Sequence, residues 1–333
     1  MRPRKLALLF APLMLVAMLP GAVTAAQPTD SRAAYHAKVQ AYWTPQRIKN
    51  AKPRDFTFDA VKGFQPNAKP GGGGTSGGVT GASWTGGGDI VRISGKVLFT
   101  MGGSDYICSG TVVTEGNSNV SVVLTAGHCV VENDGTFATF WEFIPSFDTN
   151  GTYTCSASKY GCWVADALYA HKSFATAGGF NDQAVQYDWG FARVSSGGLS
   201  GSAKLDSTVG SLAIQYSGVA KGDTLWAFGY PAAGKYHGYD LTYCKGPIGT
   251  DANAGNATWS MPCDMTGGSS GGPWVESSDP KVASGTVLSS LNSYGYSGVK
   301  NMYGPKFNTS TKATFDDAVA GTVGSNTVRV VFP

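Results

Sequence analysis

All-β is the fold class that this sequence predicts, built as a sandwich or barrel of short strands. Three observations predict it. Gly is abundant, with 46 residues among 333, and charged residues make up only 14%. Strand formers (Val, Thr, Tyr, Trp) gather in short runs. Gly, Asn, Ser and Asp punctuate those runs. Strand formers with frequent turn residues build many short strands rather than a helical bundle.

The N-terminus is read as a signal peptide over residues 1–26. Arg2, Arg4 and Lys5 precede an apolar run, Leu6 to Leu19, and Val23-Thr24-Ala25 offers small residues for cleavage. The run is interrupted by Pro12 and falls short of the roughly 20 residues that span a bilayer. No later stretch is long enough, so a soluble, secreted, extracellular protein is expected, with no membrane partner. Residues 27–82 read as a pro-segment and Gly-rich linker. They hold a short amphipathic helix (Ser31 to Trp43), a stop at Thr44-Pro45, and the glycine stretch Pro70 to Gly78. The alternative is an N-terminal extension kept in the mature protein. Residues 1–82 carry 11 Lys/Arg and 3 Asp/Glu, a balance of +8, and the rest of the chain is at −5. The body is thus mildly acidic, which argues against a nucleic-acid partner.

From Ile90 onwards the candidate strands are Ile90 to Ser94, Lys96 to Thr100, Cys108 to Val113, Val120 to Thr125, Gly190 to Val194, Thr224 to Phe228 and Val282 to Leu288. Lys312 to Ala320 is the best helix candidate, a short C-terminal one. Six cysteines in an exported chain favour disulfides over metal ligands. Their spacing suggests Cys108–Cys129, Cys155–Cys162 and Cys244–Cys263. Closing a loop the size of the first is worth about 3 kcal/mol in the chain-entropy model. With four His and no metal-ligand motif, neither a metal nor another cofactor is expected.

Two segments carry chemistry. Gly268-Ser269-Ser270-Gly271-Gly272-Pro273 offers a serine in a glycine-rich turn, and Leu124-Thr125-Ala126-Gly127-His128-Cys129 offers a base. A serine hydroxyl is a poor nucleophile until a base takes its proton. Asp188, at the start of an apolar run, is the candidate that orients His128. Asp182 is a nearby rival in a polar loop. The N–H groups of Gly268 and Ser270 are the candidate oxyanion hole, each such donor being worth about 3 kcal/mol of barrier. The turn also matches the G-x-S-x-G nucleophile elbow of α/β-hydrolases, but those order their triad Ser, acid, His. Here the histidines are His36, His128, His171 and His237, and none follows Ser270.

Thr125 to Cys129, the run opening at Asp188, and Gly268 to Pro273 together resemble the three signature blocks of chymotrypsin-like (trypsin-fold) serine peptidases. Cys108-Ser109-Gly110-Thr111 is similar to the family's companion strand, which supports Cys108–Cys129. Phe228-Gly229-Tyr230-Pro231 is similar to the secreted bacterial branch that includes the V8-like glutamyl endopeptidases. The resemblance implies two packed six-stranded antiparallel β-barrels, residues 83–200 with His128 and Asp188 and residues 201–333 with Ser270. It implies a site in the cleft between them and protein or peptide substrates cleaved through an acyl-enzyme. A monomer is the expected state. A non-catalytic, protein-binding member of the fold is the second reading.

The sequence departs from the family pattern at Ser269, where an acid is usual. Activation by pairing that acid with a new N-terminal amine is therefore not expected. Latency is expected instead from residues 27–82 covering the cleft, their positive charge against an acidic body. Asp264, six positions before Ser270, stands at the offset of the trypsin-like pocket floor, which implies a weak preference for Lys or Arg. Thr266 and Val287 to Ser290 are candidate pocket walls. The histidine that gives V8-like enzymes their glutamate preference has no counterpart after Ser270.

Overall fold

The structure is a computed structural model and describes residues 28–59, 62–66, 80–116, 119–148 and 154–333. The expected signal peptide and the glycine stretch Pro70 to Gly78 lie outside the described residues. The N-terminal segment forms α1 (Pro28–Tyr42), which overlaps the helix expected at Ser31 to Trp43 but starts earlier and ends one residue before Trp43. Pro45 opens α2 (Pro45–Asn50), where Thr44 Oγ1 accepts from the Arg47 N–H as N-cap. Three short strands follow, β1 (Lys52–Pro53), β2 (Phe56–Asp59) and β3 (Gly63–Pro66). The segment is docked on the body. Trp43 Nε1 donates to Phe140 O at 2.7 Å, Tyr35 stacks on Phe332, and Val39, Trp43 and Ile48 are buried in the main core.

β4 (Ala82–Ser83) and α3 (Asp89–Ile93) lead into the first barrel. α3 replaces the strand expected at Ile90 to Ser94. Its Asp89 and Arg92 pair across one turn, and a second Asp89 oxygen accepts from the Ala283 N–H, so tertiary contacts override the β-branched composition. The barrel consists of β5 (Ser94–Met101), β6 (Ser104–Val113), β7 (Ser121–Thr125), β8 (Thr139–Pro145), β9 (Trp163–His171) and β10 (Gly190–Val194). A two-residue turn joins β5 to β6, and Gly102 and Gly103 both take positive φ there (55° and 77°), as a twist-matched hairpin needs. The order is β6-β5-β8-β9-β10-β7, and β7 pairs back to β6, which closes six antiparallel strands. Trp141, Phe143, Trp163 and Phe191 are among its fully buried residues. The short α4 (Lys172–Ala175) follows β9.

A ribbon, β11 (Ser196–Gly197) and β12 (Ala203–Lys204), with α5 (Leu205–Val209), crosses to the second unit. That unit contains β13 (Ala213–Ile214), β14 (Thr224–Gly229), β15 (Thr242–Pro247), β16 (Gly249–Thr250), β17 (Thr258–Pro262), β18 (Pro273–Glu276), β19 (Val287–Leu291), β20 (Tyr294–Tyr296) and β21 (Asn301–Pro305). It is two sheets, β13-β19-β18-β14-β15-β4 and β16-β17-β21-β20-β2-β3, rather than one cylinder closed by hydrogen bonds. Leu225, Ala227, Met261 and Trp274 fill the space between them. The strand expected at Val282 to Leu288 begins only at Val287, because Val282 to Thr286 turn, with Thr286 Oγ1 donating to Val282 O.

Two boundaries differ from expectation. α6 (Thr309–Ala320) and β22 (Thr327–Val331) come from the C-terminal half yet pack on the first barrel. β22 pairs with β9, and Phe315 of α6 packs on Phe191. β2 and β3 of the N-terminal segment extend a sheet of the second unit. α6 fits the expected helix, with Asn308 and Thr311 forming a capping box and Gly321 ending it in the left-handed conformation. All three disulfides join the expected pairs.

Glu142 of β8 is buried, and burial pushes its carboxyl up to about 8. The folded chain therefore holds a proton that the unfolded chain releases near pH 4.5, and stability falls as pH rises from there towards 8. Each pH unit in that window costs on the order of 1.4 kcal/mol. Thermal unfolding should show Glu142→Gln matching the parent at pH 4 to 5 and exceeding it by several degrees at neutral pH (roughly 2–4 °C per kcal/mol). Equal melting at both pH values would contradict a buried, proton-holding Glu142.

Candidate active site

The site begins at the end of β7, where Ala126 starts a single 3₁₀ turn, Gly127–Cys129. The Cys108–Cys129 disulfide ties this turn to β6. His128 is 1% exposed and Asp188 is fully buried. One Asp188 oxygen accepts from the His128 backbone N–H at 2.9 Å, and the other lies 2.8 Å from His128 Nδ1. A carboxylate can only accept, so Nδ1 donates here, and in the neutral ring that leaves Nε2 as the acceptor. Ser293 Oγ donates to the same Asp188 oxygen from the second unit. Among the described residues His128 Nε2 has no hydrogen-bond partner, so its bond to a nucleophile is not formed in this state. Such bonds are often loose without substrate.

Ser270 is 2% exposed, in the turn before β18. The first barrel holds that turn directly. Ser270 O accepts from the Ser109 N–H at 2.7 Å, and Ser109 Oγ donates to Gly268 O at 2.8 Å while accepting from the Tyr230 N–H. Gly271 has φ 83°, and a Cβ there would lie 2.2 Å from Thr125 Oγ1, so only glycine fits against the end of β7. Asn292 braces the other side, donating to Phe228 O and Ser269 O and accepting from Trp274 Nε1. Ser269 Oγ donates to Thr266 O, a neutral bond where the family pattern has an acid. Sequence reasoning missed the roles of Ser109, Asn292 and Ser293. Ser109 stands beside Cys108 in the companion-strand motif, but nothing local marks the other two. Asp182 stays apart from this cluster, its backbone carbonyl bonded to Gln186 Nε2.

A cavity of about 280 Å³ adjoins Ser270, with Asp264, Thr266 and Asn301 in its lining. Its strand walls are Ser293 to Tyr296 and Val299 to Met302, rather than the Val287 to Ser290 stretch expected. Asp264 is engaged. It accepts from Lys235 Nζ at 2.8 Å, from the Gly81 N–H at 2.8 Å and from Tyr236 Oη. Burial works to raise its carboxyl, but these bonds outweigh it and hold the group below the usual range. Thr266 Oγ1 donates to Ala233 O. Among the described residues two groups of potential metal ligands occur, but each contains a disulfide-bonded cysteine pair, whose sulfurs are not free thiolates.

The N-terminal segment runs through the cleft. β1 pairs parallel with β6, the Arg54 N–H donates to Ile107 O, and β2 pairs parallel with β20, Phe56 facing Tyr294. Between them Asp55 lines the cavity beside Ser270, and its Cβ would be 2.9 Å from a Cβ on Gly267. Burial pushes the Asp55 carboxyl up to about 6, against the opposing pull of His128 and the Phe56 N–H. Phe56 meets the His128 ring edge-on at 5.3 Å. Four basic side chains of the segment reach acids of the body. Arg32 and His36 meet Asp166 at 3.4 and 2.9 Å, Arg47 meets Asp105 at 2.9 Å, and Arg54 meets Glu132 at 2.6 Å.

Comparison with known proteins agrees with this architecture. Residues 108–283 match the family model of the trypsin-like peptidase domain. Among solved structures, the protease Anisep from Arthrobacter nicotinovorans is 40% identical, with a TM-score of 0.61 over 72% of this chain and 99% of that one. A thermostable serine protease, AL20, from an extremophilic microorganism is 31% identical, with a TM-score of 0.58 over 70% of this chain and 99% of that one. A Glu endopeptidase in complex with MPD, 19% identical at a TM-score of 0.53 over 74% of this chain and 99% of its own, shares the fold. No curated protein gives a significant match. With a closed antiparallel barrel, a buried His–Asp pair at its rim and a family match over more than half its length, the chain belongs to the trypsin-like peptidases and is a serine endopeptidase.

Proposed function

We propose that this protein is an exported serine endopeptidase that works through His128, Asp188 and Ser270 and is held latent by its own N-terminal segment. The observation that carries the chemistry is the paired bond of Asp188 to the backbone and ring of His128, in a fully buried setting. His128 Nε2 takes the Ser270 Oγ proton as Oγ attacks the scissile carbonyl. The N–H groups of Gly268 and Ser270 stabilise the oxyanion. Asp188, fixed by Ser293, stabilises the imidazolium, which then protonates the leaving amine. Water repeats the sequence on the acyl-enzyme. The three disulfides and the sequence of residues 1–26 support export. No helix among the described residues is long and apolar enough to cross a membrane.

For specificity, Asp264 beside the cavity favours a basic residue before the cut, but Lys235 already neutralises it. The Lys/Arg preference is therefore weak. For latency, the support is the passage of Arg54 to Phe58 through the cleft and the ion pairs that fasten the segment. Exposed pairs of this kind are worth about 0.2–1 kcal/mol each and weaken with salt. Arg54 is buried, so breaking its pair with Glu132 costs more than losing an exposed pair.

In digests of a denatured protein mixture, Ser270→Ala should lose both cleavage and labelling by a serine-directed phosphonate, and Asp188→Asn should lower kcat by about 10⁴. Cleavage that survives Ser270→Ala would overturn the nucleophile assignment, and absence of labelling in the parent at about 1 M salt, where the ion pairs that fasten the segment are screened, would favour the binding-module reading. Activity of the full chain towards a small peptide should rise several-fold between low salt and about 1 M salt, and Arg54→Ala should raise it at low salt. A rate indifferent to both would count against the latency reading.

A further inference from the structure

A second cavity, of about 90 Å³, lies between the N-terminal segment and the body, apart from the one beside Ser270. Ile48 and Ala51, in and just after α2, wall it on the segment side. Ile107 of β6 and Phe147, just beyond β8, wall it on the body side, and Lys96 of β5 lines it as well. β5 is buried at all eight positions, and Lys96, 3% exposed, is its one charged residue. The ammonium lies 3.8 Å from the centre of the Phe147 ring and donates to Gly238 O. Among the described residues no carboxylate pairs with it, and burial pushes the group down to about 7. An ammonium carries three N–H donors, and one carbonyl and one ring do not replace the hydration it has given up. Met or Leu would fill this place in the strand without desolvating a charge. Packing therefore does not account for a lysine here.

The rest of the lining shows what would complete it. Lys49 of α2 and His237 stand at the same cavity, and Tyr239 stacks beside the His237 ring with centroids 6.2 Å apart. Lys49 and His237 are exposed while Lys96 is buried, so basic groups line the cavity from its mouth inwards. Among the described residues that line it none is an acid. Asp148 and Asp240, next in the chain to the lining, are exposed and bear on Tyr230 rather than on Lys96. Three basic groups and a phenol are a donor set for an anion with several acceptor oxygens. About 10–15 Å³ of such space holds one water, so the cavity has room for a compact tetrahedral ion but not for a nucleotide or a peptide.

We infer that this cavity is a binding site for a small inorganic oxyanion of the phosphate or sulfate class, with Lys96 as its buried anchor. Ile48, Lys49 and Ala51 belong to the N-terminal segment and Lys96 and His237 to the body, so the bound ion bridges the two and tightens docking of the segment. The effect runs opposite to screening. Bulk ions loosen the exposed pairs at Asp105 and Asp166, whereas one oxyanion in this cavity fastens α2. The site does not depend on whether Ser270 is the nucleophile.

The test uses the full chain and sulfate, whose charge is constant near neutral pH, with ionic strength held fixed by chloride. Equilibrium dialysis with radiolabelled sulfate should show one ion per chain, with a dissociation constant on the order of 1 mM. Lys96→Met should weaken binding about tenfold or more, and Lys49→Ala and His237→Ala, both at exposed positions, should weaken it severalfold without changing the melting temperature. Amide exchange of residues 46–51, followed by mass spectrometry, should slow about tenfold at about 10 mM sulfate in the parent and stay unchanged in Lys96→Met. Acetate, with one charge, should bind more weakly than sulfate. Absence of bound sulfate, or equal binding in Lys96→Met, would overturn the site. Should Lys96→Met not fold, undiminished binding in both Lys49→Ala and His237→Ala would overturn it instead. Binding that leaves exchange of residues 46–51 unaltered would remove the bridge to the segment, and tighter binding of acetate would remove the tetrahedral class.

Discussion

The buried carboxylate of Asp188 is the constraint on which the rest of the site depends. It accepts from the backbone N–H and ring of His128 and from the hydroxyl of Ser293. An ionised group with no exposure is tolerated only when its oxygens are filled in this way. Those donors come from two different units, the turn after β7 and the residue before β20. The same group that holds the His128 ring therefore also pins β20, the strand on which β2 of the N-terminal segment pairs. Loss of either partner would leave a buried charge short of a donor and loosen both walls of the cleft at once.

Ser109 and Gly271 do for the Ser270 turn what Asp188 does for the His128 ring. The hydroxyl and N–H of Ser109 reach the carbonyls of Gly268 and Ser270, and Gly271 has no side chain to hold it away from Thr125. The Ser270 turn is thus positioned by the first barrel even though it belongs to the second unit. Preorganisation here comes from packing and backbone bonds between the units, not from any strong single contact. On the far side Asp251, buried, accepts from the hydroxyls of Tyr294 and Tyr296 and stiffens β20 from behind.

Much of this was legible in the residues because the chemistry dictates neighbours. A nucleophile in a tight turn needs glycines, and a base held by a disulfide has a cysteine beside it, so both segments stood out. The cysteine pairs were legible because each links near neighbours in sequence. Ile90 to Ser94 was misread because β-branched residues outweighed a local Asp–Arg pair and a distant N–H from Ala283. Ser109, Asn292 and Ser293 were illegible as functional residues, since each acts through bonds to residues far away in sequence. The pocket walls were displaced for a similar reason: a turn at Val282 to Thr286 delays β19, and the later stretches Ser293 to Tyr296 and Val299 to Met302 take their place. The engagement of Asp264 by Lys235 and Gly81 also lay beyond local pattern, since Gly81 is remote in the chain.

The pairing of β22 with β9 has a consequence for how the chain is made. The outer edge of the first barrel is completed by residues near the C-terminus, with α6 laid across the same surface. A ribosome or export channel releases β9 long before β22, so the barrel spends that interval with an unpaired strand edge and exposed apolar surface. Joining segments so distant in sequence is slow, because the loop must close before its contacts form. Completion of that edge is thereby deferred until the second unit has emerged, and a chain cut short before residue 327 lacks the strand laid on the barrel that holds His128.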